Sequence, residues 1–384
     1  MKNMGIPGNI QMVDLHTQYL QVKEEVDAAI QKVIDSTAFI KGKPVYEFQD
    51  ALSLYLEIPF TVACGNGTDA LQAAMMALDL QQGDEVITTP FTFIATVEVI
   101  RLLGLKPVLV DVDRETFNLD PAKLHEVLTP RSRVIIPVHL FGQCAPMEEI
   151  MKFARKHRLV VIEDNAQALG AEYLFSDGSS RKAGTMGDMG TTSFFPSKNL
   201  GAFGDGGAIF TRDESLNQRL SAVVNHGMKK RYYYEYIGMN SRLDTLQAAI
   251  LLVKLKYLDA YHKARKDAAS RYDQLLSDIP EIRTPFRAPF STHVFHQYTL
   301  RVEPESRDKL KDWLKEGQIP SMIYYPVPIH LQAAYRDLGY GEGDFPVSER
   351  LCREVLSLPI HTELSEEQLS YISDQVHHFY AEFK

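Results

Sequence analysis

The sequence predicts an α/β fold: a large unit with a mostly parallel central sheet covered by helices, then a smaller C-terminal α/β unit. Three observations carry this. The apolar strand segments are continuous rather than alternating, as expected for strands buried on both faces. Helical segments separate them, the pattern of crossovers between parallel strands. Beyond Arg242 the strand–helix alternation gives way to a long helix-rich stretch. The length of 384 residues fits roughly two or three domains.

Element by element, residues 15 to 36 form an N-terminal helix of unassigned domain. Pro44 to Glu57 is a second helix, with proline in its first turn and apolar residues at Val45, Phe48, Leu52 and Tyr55. Phe60 to Cys64 is a short strand and Thr68 to Leu80 a helix. Glu85 to Thr89 is a strand introduced by the Gly83-Asp84 turn. Thr92 to Leu103 is helical, and Lys106 to Asp111 is a strand. Arg133 to Val138 and Leu159 to Glu163 are buried strands around a helix at Met147 to His157. Thr191 to Phe194 and Gly207 to Thr211 are further strands. From Arg242 to about Leu276 the stripe Leu243, Leu246, Ile250, Val253, Tyr257 describes one buried helix face. A helix of that length bridges domains, so the large domain is placed at 1–258 and the small one at 259–384. The latter holds a strand at Val294 to Val302, a helix at Arg307 to Glu316, a proline-rich connector at Pro320 to Pro328 and a last helix from Ser365.

Composition excludes several classes. The chain is 45% hydrophobic and 24% charged, ordinary for a globular protein, and its formal charge of −9 argues against nucleic-acid binding. The N-terminus has no apolar core of signal-peptide length, and no apolar run is long enough to span a membrane. A cytoplasmic enzyme is expected. Cys64, Cys144 and Cys352 are odd in number and widely spaced, so they read as buried thiols rather than a disulfide framework or a zinc site. His139, after an apolar strand, reads as structural. Asp111 and Asp113 read as turn residues, with no further ligand at metal-binding spacing.

The chemistry concentrates in three segments. Lys198 follows a short strand and precedes four glycines within Gly201 to Gly207. A lysine in a dry turn loses charge by desolvation, and a neutral amine can form a Schiff base with an aldehyde cofactor. Val160 to Asp164 ends a buried strand on two carboxylates, where an α/β sheet opens its ligand crevice; Asp164 as a helix N-cap explains the spacing equally well. Gly65-Asn-Gly-Thr-Asp69 joins a strand to a helix N-terminus, which can cradle a phosphate or be a plain turn. It is neither a Walker loop nor a dinucleotide fingerprint. Cradle, strand-end carboxylate and lysine, in that order, are what pyridoxal phosphate requires.

Seven short segments then resemble the DegT-type sugar-nucleotide aminotransferases, of the fold-type-I, aspartate-aminotransferase-like superfamily of pyridoxal-phosphate enzymes. They are Gly65-Asn-Gly-Thr-Asp-Ala-Leu71, Pro90-Phe-Thr-Phe-Ile-Ala-Thr96, Pro137-Val-His-Leu-Phe-Gly142, Glu163-Asp-Asn-Ala-Gln-Ala-Leu-Gly170, Ser193-Phe-Phe-Pro-Ser-Lys-Asn-Leu-Gly201, Gly238-Met-Asn-Ser-Arg-Leu-Asp244 and Tyr325-Pro-Val-Pro-Ile-His330. The resemblance runs from about Val13 to the C-terminus.

It implies that Lys198 holds pyridoxal 5'-phosphate as an internal aldimine and shuttles the proton, with the pyridoxamine form (PMP) as intermediate. Asp164 would face the ring nitrogen, Gln167 the ring hydroxyl, and Phe93 would stack on the ring, although Phe93 alone reads as core. Gly67, Thr68 and Ser193 would hold the phosphate. Asn240 would reach the phosphate of a neighbouring subunit, implying a homodimer with shared active sites. Glutamate is the implied donor, leaving as 2-oxoglutarate, and a nucleotide-linked keto-sugar the acceptor, as in amino-sugar and cell-surface polysaccharide biosynthesis.

On the acceptor side, Lys229 to Tyr236 is a basic, tyrosine-rich stretch that reads either as an exposed loop or as a clamp on the nucleotide, with Lys229 and Arg231 at the diphosphate. Arg242, Tyr325 and His330 would contact sugar or carboxylate. Tyr324 stands where several relatives acting on 3-keto uronic acid sugars carry histidine. A dehydratase on the same fold would replace the lysine with histidine, which Lys198 argues against. A cofactor-binding regulator without turnover is the other alternative; one that bound DNA would need an added helix-turn-helix or a basic patch.

Overall fold

The computed structural model describes residues 7–383. Two helices lead the chain. The first, α1 (Leu15–Ser36), is capped by Asp14, whose carboxylate accepts the Thr17 amide at 2.9 Å. The second, α2 (Lys43–Leu56), buries Val45, Phe48, Leu52 and Leu56. The predicted Tyr55 lies beside that stripe and sends its hydroxyl to Asp259 instead. Then follow β1 (Phe60–Cys64), α3 (Gly67–Met76), β2 (Glu85–Thr88), α4 (Ala95–Leu102), β3 (Lys106–Leu109), the single turn α5 (Leu124–Val127), β4 (Ser132–Ile135), α6 (Met147–His157) and β5 (Val160–Asp164). A hairpin of β6 (Glu172–Leu174) and β7 (Ser180–Lys182) precedes β8 (Met189–Ser193), β9 (Gly207–Thr211) and α7 (Glu214–Val223).

The central sheet has seven strands in the order β1-β9-β8-β5-β4-β2-β3. Pairing is parallel from β8 through β5, β4 and β2 to β3, and only β9 runs against its neighbours. The continuous apolar strands divide their side chains between two cores. Val86, Val134 and Ile162 pack with α3, α4 and α7 on one face. Ile87, Ile135 and Val161 pack with α6 on the other. This is why these strands read as unbroken apolar runs.

The C-terminal part begins after a hairpin of β10 (Met228–Lys230) and β11 (Tyr233–Tyr234). The predicted long helix is two: α8 (Thr245–Leu255) and α9 (Leu258–Leu275). Arg242 to Asp244 is not helical, because Asp244 is extended and bridges to Ile40. The break at Lys256-Tyr257 has a cause in packing. Helix α8 buries Ile250 and Val253 against Val22 and Val26 of α1, whereas α9 buries Ala268, Ala269 and Tyr272 in the C-terminal core. Glu25 of α1 holds the bend, accepting from Lys256 at 2.8 Å and from the Tyr257 hydroxyl. So α1, unassigned from sequence, lies against α8, while Ile10 ahead of it joins the C-terminal core.

That core is an antiparallel sheet of β12 (Ile282–Arg283), β13 (Tyr298–Val302) and β14 (Val355–Leu358), with α10 (Pro304–Glu316), α11 (Pro346–Glu354) and α12 (Glu366–Glu382). The strand predicted at Val294 begins only at Tyr298. Residues 294 to 297 bond instead to the large sheet's loops, Val294 to the Gly142 carbonyl at 2.9 Å and Gln297 to that of Phe141 at 3.2 Å. Phe295 among them takes a left-handed φ of 46°. The three cysteines are buried free thiols. Among the described residues no group of histidines, cysteines or acids could hold a metal, and no helix is long and apolar enough to cross a membrane.

Candidate active site

A cavity of about 560 Å³ opens at the carboxyl ends of the parallel strands, where α/β sheets present ligand sites. Nine of the residues singled out from sequence line it: Gly67, Thr68, Phe93, Asp164, Gln167, Ser193, Lys198, Tyr324 and Tyr325.

Lys198 sits at the tip of a tight loop. Its own amide bonds to the Phe195 carbonyl at 2.8 Å, and Ala202 closes the loop onto the Phe194 carbonyl at 2.8 Å. Gly201 is required there, since a Cβ would lie 2.1 Å from the Pro196 carbonyl oxygen. Below the loop, the buried Lys254 of α8 donates to the Gly201 carbonyl at 2.6 Å. Lys198 is half-buried and lines the cavity. Desolvation lowers its pKa to about 8, opposed by the negative charge of Asp164.

Asp164 ends β5 and is 5% exposed. One carboxylate oxygen accepts the Thr96 hydroxyl at 2.8 Å and the other the Ala166 amide at 3.2 Å. The neighbouring Glu163 points elsewhere. It is fully buried and accepts the amides of Gly184, Met186 and Gly187 at 2.6 to 2.8 Å. His139 completes that shell. Its Nδ1 accepts the Ala145 amide at 3.0 Å, so Nε2 carries the hydrogen that meets Glu163 at 2.8 Å. This is the structural role expected for His139, and Glu163 fixes the strand end that carries Asp164. Asp113 is likewise a turn residue, capping Glu115 and Thr116, while Asp111 accepts the amides that open α11.

The anion end of the cavity is the start of α3. Asn66 caps the helix by accepting the Asp69 amide at 2.8 Å, and the amides at Gly67 and Thr68 have no helical carbonyl to serve. A Cβ on Gly67 would lie 2.7 Å from the Ser193 Cβ, so only glycine lets the β8 end close on the helix start. Ser193 Oγ accepts the Phe195 amide at 3.2 Å, which leaves its hydroxyl hydrogen for a ligand. Unpartnered amides, a helix dipole and a hydroxyl together suit a phosphate.

Between the two ends lies an aromatic and amide wall. Phe93 is 55% exposed and faces the cavity, with its ring 6.4 Å from that of Tyr325. Gln167 accepts the Phe141 amide at 2.8 Å and donates to the Tyr325 hydroxyl at 3.1 Å. Burial pushes the Tyr325 pKa up, so this phenol keeps a hydrogen to donate.

The structure does not bring the other sequence-predicted residues to this cavity. His330 is buried against Phe345 and paired with Glu349 at 3.1 Å, outside the cavity lining. Arg242 is half-buried outside the lining. Lys229 pairs with Glu235 at 2.7 Å on an exposed hairpin, and Arg231 lies over Tyr232 at 5.1 Å. Asn240 is exposed and bridges to Asn225, while Ser241 beside it accepts the Gly65 amide at 2.9 Å.

Four lining or supporting residues went unnoticed in sequence. His296 and Gln297 enter the wall because residues 294 to 297 leave the strand, which no periodicity signals. Burial, then the charges of Lys198 and Arg265, hold His296 well below the usual histidine value, so it is neutral. Asp205 brings an exposed carboxylate to the cavity edge. Thr96 lies inside a recognised segment but had no assigned role.

The set fits pyridoxal 5'-phosphate: an anion cradle that a Cβ would fill, a carboxylate at mid-cavity, and a lysine amine whose charge is weakened. The DegT/DnrJ/EryC1/StrS aminotransferase family model matches residues 20–377. A Geobacillus stearothermophilus protein named pleiotropic regulatory protein is 45% identical over 98% of this chain and all of its own. The UDP-2-acetamido-2-deoxy-3-oxo-D-glucuronate aminotransferase of Pseudomonas aeruginosa is 41% identical over 94% of this chain and 98% of its own. Among solved structures, S. venezuelae DesV in complex with a ketimine intermediate superposes with a TM-score of 0.92 at 38% identity, covering 97% of this chain and 98% of that one. Matched from end to end in sequence and fold, the chain belongs to the DegT/DnrJ/EryC1/StrS aminotransferase family and is a pyridoxal-phosphate-dependent aminotransferase.

Proposed function

We propose that the chain transfers an amino group from L-glutamate to a UDP- or dTDP-linked keto-sugar, at C3 or C4. The observation that carries the reading is Lys198, an amine with a lowered pKa in the same cavity as an anion cradle. The sugar-nucleotide class is supported by the names of relatives 38 to 41% identical, which act on UDP- and dTDP-linked 3-amino or 3-keto sugars. The exposed cations Lys229 and Arg231 and their tyrosines suit the diphosphate and base. Arg242 and Tyr324 are assigned to the sugar side.

Gly67, Thr68 and Ser193 would hold the phosphate, Gln167 and Phe93 the ring, and Asp164 the ring nitrogen. Bound pyridoxal phosphate supplies an electron sink for the pair left when the donor's α-carbon loses its proton. Lys198, neutral, takes that proton and would return it to the carbon on the other side of the transferred nitrogen. In the second half-reaction it carries a proton the opposite way, and the acceptor leaves as an amino sugar. Two chains are assigned to each functional unit, with Asn240 serving the neighbour's phosphate. The lysine counts against a dehydratase. A regulatory role is a second reading, favoured by the name of the Geobacillus relative. A mass-spectrometric screen of keto-sugar nucleotides with glutamate tests both. Amino-sugar product supports the transferase, and none across C3- and C4-ketones with cofactor bound supports the regulator.

A further inference from the structure

Asp164 is held through both its backbone and its side chain. Its amide bonds to the Pro137 carbonyl at 2.9 Å and its carbonyl accepts the His139 amide at 3.0 Å, so the backbone at the end of β5 is fixed. The side chain has a separate support. Thr96, in the first turn of α4, is fully buried and donates its hydroxyl to Asp164 Oδ2 at 2.8 Å across 68 residues of sequence. A helical threonine can return its hydroxyl to the carbonyl three or four residues back. Here the hydroxyl goes to a carboxylate that can only accept. Thr96 does not line the cavity, so it acts through Asp164. Packing alone would be met by valine at the same volume, and a buried hydroxyl without a partner is costly. The choice of threonine is therefore explained by the carboxylate.

We propose that Thr96 is a positioning residue: its hydroxyl clamps the Asp164 carboxylate so that the free edge faces the ring nitrogen of the cofactor. The inference rests on Asp164 being the partner of that nitrogen. A donated hydrogen bond also favours the ionised carboxylate. Without it the carboxylate would be free to turn, its contact with the ring nitrogen would weaken, and the ring would accept electrons less well.

The test uses the holoenzyme with cofactor isotope-labelled at the ring nitrogen, read by NMR, alongside the rate of the glutamate half-reaction. Asp164→Asn serves as the control. If its nitrogen resonance stays at the wild-type position, the Asp164 assignment fails and this inference with it. Given a shift in that control, Thr96→Val is expected to move the resonance part of the way in the same direction and to slow the half-reaction about tenfold. Thr96→Ser, which keeps the hydroxyl and loses only a methyl, is expected to retain both wild-type values. A wild-type resonance in Thr96→Val, or Thr96→Ser as impaired as Thr96→Val, overturns the clamp while leaving Asp164 in place. Should Thr96→Val not fold, Thr96→Ala against Thr96→Ser isolates the hydroxyl by the same two readouts.

Discussion

Removing the carboxylate of Asp164 should make Lys198 a stronger captor of aldehydes at neutral pH. In the cofactor-free protein, desolvation brings Lys198 down to about 8 from an ordinary 10.5. At pH 7.5 that leaves about a quarter of the amines neutral, against roughly one in a thousand for an ordinary lysine, a gain of about 200-fold. The charge opposing the shift is Asp164, whose anion favours the ammonium form. Asp164→Asn removes that opposition, so the midpoint should fall below 8. The assay is the second-order rate of pyridoxal-phosphate capture by the cofactor-free protein, followed through the visible band of the lysine-bound cofactor across pH. Wild type should rise with a midpoint near 8 and Asp164→Asn at lower pH, while Lys198→Ala should show no band. A wild-type midpoint near 10.5, or one that Asp164→Asn leaves unmoved or raises, would refute the reasoning.

Gly67→Ala places a Cβ 2.7 Å from that of Ser193, and overpacking of this kind costs about 1–3 kcal/mol. Cofactor affinity should fall roughly 5- to 150-fold by absorbance titration, and an unchanged Kd would mean that the cradle yields. Lys254 is also lowered to about 8 by burial, with Arg265 adding to the effect. A folded pKa below the unfolded one means that the unfolded state binds more protons, so this group adds stability as pH rises from about 8 towards 10.5. Lys254→Met should flatten that rise in Tm, and an equally steep slope would exclude Lys254 as its source. The same variant leaves the Gly201 carbonyl unpaired, so the glutamate half-reaction should slow severalfold. Mixing inactive Lys198→Ala and Asn240→Ala proteins should restore some activity if Asn240 serves the neighbour's site, whereas no recovery under proven subunit exchange would assign it elsewhere.

The large sheet was legible because its strands are buried on both faces and read as unbroken apolar runs. The placing of the candidate site was also partly legible: Gly67 stands at a helix start, Asp164 at a strand end and Lys198 in the loop after a strand, where local sequence fixes position, while Ser193 came only through the family resemblance. What escaped depends on contacts distant in sequence. Nothing near Thr96 announces a carboxylate 68 residues away. The stripe from Leu243 to Tyr257 continues smoothly through a bend set by Glu25, and periodicity does not register a change of packing partner. His330 sits in a specific-looking motif yet is enclosed by Phe345 and Glu349. A motif marks a place in the fold, and whether its side chain meets a ligand is decided by what packs over it.

The departure of residues 294 to 297 from their strand bears on how the site admits its ligands. Val294 and Gln297 bond to the loop at Phe141-Gly142, and Asn199, next to Lys198, donates to the Val294 carbonyl at 2.9 Å. A hinge that opened the crevice along this seam would break all three bonds and pull on the loop that carries the reactive amine. Phe93 and Asp205, which stand exposed in the cavity lining, take part in none of these bonds. The seam that carries the lysine and the exposed lining are thus held by separate contacts, so an exposed lining side chain can change without breaking the bonds that keep the lysine in register.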